Sequence, residues 1–172
     1  MDKRFAVGDS CGPRVANIQL RFWRFALESF YNIIEQWKKD AVFEDSNNIV
    51  DDDAYNEDDF IVDASVTLVL AGTSVAALLG QNAYSGGNKT LSPREAYKNI
   101  IKDPTPNDVE DFLKIYDALR HLGPSKYDEI DNITKEDLCY YMNTAQNIWQ
   151  DVLKYRNSNI GEDFQHNFRF PE

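Results

Sequence analysis

The chain is poor in the side chains that carry most metal, redox and proton-transfer chemistry. It has two cysteines and two histidines in 172 residues. Cys11 and Cys139 are too few and too far apart for a disulfide framework, so free thiols in a reducing, cytoplasmic setting are expected. A zinc site would need nearly all four Cys and His side chains to converge, and none stands at ligand spacing. Di-iron bundles repeat a Glu-x-x-His motif, but Ala118 and Asp163 occupy the place three before His121 and His166. No metal and no cofactor is expected.

Positive charge is scarce as well. Eighteen Lys and Arg face 29 Asp and Glu, a formal net charge of -11. That disfavours a surface that tracks phosphates and keeps RNA as an alternative partner only through locally gathered positive charge. A glycine-rich phosphate loop is missing, since Gly86-Gly87-Asn88-Lys89-Thr90 lacks both the spacing and a preceding strand. The acidic run from Asp51 to Asp59 fails the calcium-loop pattern, because counting from Asp51 the sixth place holds Asn56 instead of Gly. Charged residues from Met1 to Arg4 with no apolar run behind them give no signal-peptide pattern. The one stretch of membrane-spanning length, Phe60 to Gly80, contains Asp63 and has no flanking cluster of Lys or Arg. It is expected to be a bundle helix, with no membrane partner.

What the chain does have is helical periodicity. Between Arg14 and Asp40 there is no Pro or Gly, and Val15, Ile18, Phe22, Phe25, Ala26, Phe30, Ile33 and Trp37 form a broad apolar stripe. Leu20, Trp23, Leu27, Tyr31 and Ile34 widen it beyond what one partner helix covers. Such a helix either sits against several neighbours or carries a second face used in self-association, and a homodimer with Trp23, Leu27, Tyr31 or Ile34 in its interface is the expectation. Residues 44–59 hold eight acidic and no basic side chains, a solvated loop from which Asp58 or Asp59 can cap the next helix. In the helix over 59–81, small residues at Gly72 and Ala76 predict burial against a neighbour. Ser92-Pro93-Arg94-Glu95 is a capping-box start, Thr105-Pro106-Asn107-Asp108 repeats the signal, and Thr134 with Asp137 opens the last long helix. No stretch alternates convincingly as a strand. The expected architecture is all-α: helices over 14–40, 59–81, 93–102, 106–122 and 134–156 in one bundle domain, 1–156. Residues 157–172 are expected to form a mobile tail or a strap across the surface.

The most polar constellation is Arg120-His121 with Lys126, at the end of the third long helix. Capping of the helix dipole accounts for it. The functional alternative is a pocket in which His121 moves protons and Arg120 steadies an anionic oxygen. Adjacent residues on a helix point about 100° apart, which counts against that pair serving one phosphate unless the helix has ended there. Asp63, alone in an apolar helix, is expected to pair with a basic residue such as Arg21 or Arg24, or with a hydroxyl, and is the other candidate binding residue.

Residues 109–156 resemble the C-terminal part of the HEPN superfamily of small helical bundles. The resemblance rests on the run from Phe112 to His121, a turn, and Thr134 to Trp149. It implies an up-down bundle and a toxin-antitoxin, phage-defence or RNA-processing context, in which many members are dimeric ribonucleases. Active members carry an Arg and, some residues on, a His. Here Ser125, Lys126 and Tyr127 stand where that His should lie, and Arg156-Asn157 is followed only by the distant His166. The expectation is a non-catalytic bundle that self-associates and binds a protein partner. Its rivals are a metal-independent ribonuclease using Arg120 and His121, and a small-molecule sensor with a pocket between the first two helices.

Overall fold

In the computed structural model, residues 13–44, 55–82, 91–101, 104–121 and 132–171 are described. They form α1 (Pro13–Glu44), α2 (Glu57–Asn82), α3 (Pro93–Ile100), α4 (Asn107–Arg120) and α5 (Lys135–Tyr155), then a 3-10 turn at Glu162–Phe164. The all-α bundle of four long helices and a short one is the fold, with no strand among the described residues. Lys126, Cys11 and most of the acidic loop lie outside them.

Helix starts follow local hydrogen bonding. Ser92 with Glu95 and Thr134 with Asp137 make complete capping boxes at α3 and α5. At α2 the cap is Asn56, not Asp58 or Asp59. Its side chain accepts from the Asp59 N–H at 3.0 Å, while the Asp59 carboxylate accepts from the Asn56 N–H at 3.3 Å. The start signal before α4 works differently from expectation. Pro106 is the N-cap with no side-chain cap bond, and Thr105 is buried. Helix α5 ends where Asn157 enters the left-handed region at φ 54°. Its N–H donates to the Lys154 carbonyl and that of Ser158 to Leu153, the paired bonds that close a helix on a left-handed residue.

The core is central to α2, which packs on α1, α3, α4 and α5. The antiparallel α1–α2 register is set by three bonds. Gln19 donates to the Ala77 carbonyl and to Gln81, and Ser29 pairs with Thr67 at 2.7 Å. Ser74 donates to the Gln19 carbonyl of α1 and accepts from the Trp149 indole of α5 at 2.9 Å. One buried hydroxyl thus ties three helices. Gly72 is buried, as expected, because the Tyr116 ring of α4 fills the space where a Cβ would stand. Ala76 is only half-buried.

Candidate functional site

Four places answer to the residues singled out above. At the end of α4 the backbone leaves the helix at His121 (φ -108°, ψ 24°), so adjacency no longer separates the two side chains. Arg120 Nη2 lies 2.8 Å from His121 Nε2 and 3.2 Å from Asp117 Oδ1, and its guanidinium sits over the Tyr116 ring. The pair does meet. Asp117, 3.2 Å from Arg120 and 3.5 Å from His121 Nε2, offsets the Arg120 charge. All three are half-exposed. The cleft beside them, about 320 Å³, is lined by Arg94, Lys114 and Arg120 and by Asp117; Arg94 is ion-paired to Glu110. Positive charge in this cleft is matched locally by carboxylates. We expect no cleavage of a mixed pool of structured and single-stranded RNA by the chain, with His121→Ala as the control. Cleavage by the parent and not by the mutant would contradict this.

Asp63 is half-buried and accepts from the Tyr55 hydroxyl at 3.1 Å. The partner is thus the hydroxyl alternative. Arg24 instead pairs with Asp163 at 2.9 Å, which raises the Arg24 pKa through a hydrogen bond and the adjacent negative charge. Asp63 ties α2 to Tyr55, two residues before the helix begins.

The widened face of α1 is where the structure departs most from expectation. Trp23, Leu27 and Ile34 are 0%, 7% and 7% exposed. They lie in the chain's own core and do not present a dimer surface. Only Tyr31 stays exposed, its hydroxyl 2.8 Å from His166 Nδ1. The cover is the C-terminal segment, which is a strap. Phe164 stacks between Trp23 and Trp149, with ring centroids at 6.0 and 4.6 Å. Phe168 meets Trp23 and Phe30 edge-on, and Phe170 reaches Phe30, Phe60 and Trp37. The Trp23 indole donates to the Asp163 carbonyl.

With that face covered, the exposed apolar surface lies elsewhere. On α2, Val62 is 60% and Val66 50% exposed, Gly80 is exposed, and Val69, Thr73 and Ala76 are half-buried. Their spacing of four and three residues in alternation makes one straight outward seam. On α1, Ile18 and Phe25 are exposed and Phe22 is half-buried. The Gln19–Ala77 and Ser29–Thr67 bonds set them level with Leu78, Ser74 and Ala71 of α2. By length and composition α2 could cross a membrane, but 44% of its most apolar window is buried in the bundle. The seam belongs to the part that is not buried.

Fold and surface together define a helical bundle closed by an aromatic strap, with one uncharged outer face. Compared with protein-family models, curated proteins and solved structures, the chain matches none.

Proposed function

We propose that the chain is a non-catalytic helical bundle that acts by associating with a second copy through the outer face of α2. The observation that carries this is the seam Val62, Val66, Val69, Thr73, Ala76 and Gly80, uncharged along its length and open to solvent at its start and its end. Burial of such a surface is favourable at roughly 25 cal/mol per Å² of apolar area. The seam is also complementary to itself. Turned antiparallel about a two-fold axis near Ala71, Val62 faces Gly80, Val66 faces Ala76 and Val69 faces Thr73. Each Val then meets a smaller or slimmer residue, so two backbones can approach closely.

Charge favours the same occupant. Two copies at -11 each repel one another at long range. They can join best where neither presents a carboxylate, as along this seam. An anionic lipid surface would be repelled by the rest of the chain without that compensation. The HEPN resemblance enters the proposal only in its non-catalytic form, with a toxin-antitoxin or phage-defence setting and a cytoplasmic location.

Light scattering at micromolar concentration tests this. The parent chain should have twice the 19.8 kDa chain mass. Val66→Asp should reduce it to one chain while leaving the unfolding midpoint within a few degrees, because Val66 is already half-exposed in the single chain. A parent that stays at one chain mass overturns the proposal, and so does a Val66→Asp variant that keeps the dimer mass.

A further inference from the structure

The strap is held in a manner unlike the packing of the rest of the bundle. Along α5, Cys139, Asn143, Gln146 and Gln150 fall on one stripe at spacings of four, three and four. Each meets the main chain of the strap. Gln150 donates to the Phe164 carbonyl at 2.6 Å. Gln146 donates to the His166 carbonyl at 2.9 Å and accepts from the His166 N–H at 2.8 Å, pairing with it as a neighbouring strand would. Asn143 donates to the Phe168 carbonyl at 3.4 Å, and the Phe170 N–H reaches the Cys139 sulfur. The rungs use every second residue of the strap and run opposite to α5. At about 1.5 Å per residue, positions 139 to 150 of the helix span about 16 Å. Positions 164 to 170 of an extended chain span about 20 Å, near enough for the rungs to stay in step.

At the rungs, the side chains of Phe164 and Phe168 are buried and those of His166 and Phe170 half-buried, while Gln165, Asn167 and Arg169 between them are exposed. Gln146, 5% exposed, is a buried polar side chain whose hydrogen bonds from this stripe go to the strap. The α1–α5 groove therefore recognises an extended backbone through amides and chooses side chains through aromatic slots.

We propose that this groove is a binding site for an extended peptide segment of a partner, with aromatic residues at its first, fifth and seventh positions, and that the chain's own strap occupies it as a tethered competitor. The rungs bond main-chain atoms, which any such segment supplies. The aromatic spacing is what the slots select. The strap leaves α5 through an exposed turn over 156–159. A tether of this length gives the strap an effective concentration in the millimolar range, which masks the site from micromolar ligand. The α2 seam takes no part in this, and either proposal can fail alone.

The test uses the full chain and a fluorescent synthetic peptide of residues 159–172. Phe164→Ala/Phe168→Ala weakens the tethered competitor, and this variant should bind the peptide at least tenfold more tightly than the parent does. Adding Gln146→Ala should reverse most of the gain, and a peptide carrying the same two alanines should not bind. Equal affinity for parent and variant, or equal binding of the alanine peptide, would overturn the proposal. Should the double variant not fold, the parent chain with excess peptide bearing a photoreactive phenylalanine at the Phe168 position decides. Cross-links confined to α1 and α5 around Trp23, Phe30 and Asn143 support the site. Scattered cross-links, or none, refute it.

Discussion

Trp23→Ala should destabilise the chain by about 3–5 kcal/mol, the usual cost of truncating a fully buried aromatic. Trp23 is 0% exposed, stacked against Phe164, edge-on to Phe168, and donates its indole N–H to the strap at Asp163. Truncation removes all three contacts and opens a void between α1 and the strap. With a whole-domain stability of about 5–15 kcal/mol, that loss takes a large share. Arg24→Ala is the control. It breaks the ion pair to Asp163, but Arg24 is 59% exposed and such pairs contribute at most about 1 kcal/mol. Urea unfolding of the two variants measures both. Were Trp23 a dimer contact, the ordering would differ: Trp23→Ala would lower the association constant and leave the unfolding of the single chain almost unchanged.

Gly72→Ala should also destabilise, by about 1–3 kcal/mol. The sign is informative, since Gly to Ala inside a helix ordinarily gains about 1 kcal/mol. At Gly72 the new methyl carbon would lie 2.1 Å from Cδ2 and 2.4 Å from Cγ of Tyr116. Those atoms are near the root of the ring, so a small swing cannot relieve the clash. The ring is itself buried, with the Arg120 guanidinium over it. Gly80→Ala serves as the comparison, because nothing lies within 4 Å of the added carbon. Thermal unfolding should separate them clearly: Gly80→Ala at or slightly above the parent, Gly72→Ala several degrees below.

Much of this fold is legible in the sequence. Ser92 with Glu95 and Thr134 with Asp137 are short-range signals, and short-range signals need no knowledge of the tertiary fold. The α4 stripe of Val109, Phe112, Leu113, Tyr116 and Leu119 is buried as its period demands. Helix α1 shows the limit. Its periodicity declares two apolar faces but not which one the chain covers: Trp23, Leu27 and Ile34 are buried, Ile18 and Phe25 exposed. The deciding segment is the strap, whose signal was present. Phe164, His166, Phe168 and Phe170 alternate with polar residues at the period of an extended chain. No strand among the described residues offers it a partner, and amide side chains of a helix supply one instead, an arrangement no strand rule anticipates. The α2 seam was missed for another reason. Val, Thr, Ala and Gly satisfy a buried helix and an exposed docking face equally well, and hydropathy does not separate the two. At Arg120 and His121, the end of the helix decides whether neighbours in sequence can touch, and that end is a backbone geometry.

Association through α2 requires a second copy lying antiparallel on it. Chains carrying Val62→Cys and chains carrying Gly80→Cys, each with Cys11→Ser, should cross-link when mixed and treated with a short bismaleimide. In the antiparallel pair Val62 faces Gly80 of the other copy, whereas two Val62 positions lie about 27 Å apart along the helices at about 1.5 Å per residue. The mixture should therefore give mixed dimers, and each variant alone should remain a single chain. Cross-linking of Val62→Cys chains to one another as readily as in the mixture would show a parallel pair, and single chains throughout would show no pair on this face. Either result contradicts the account.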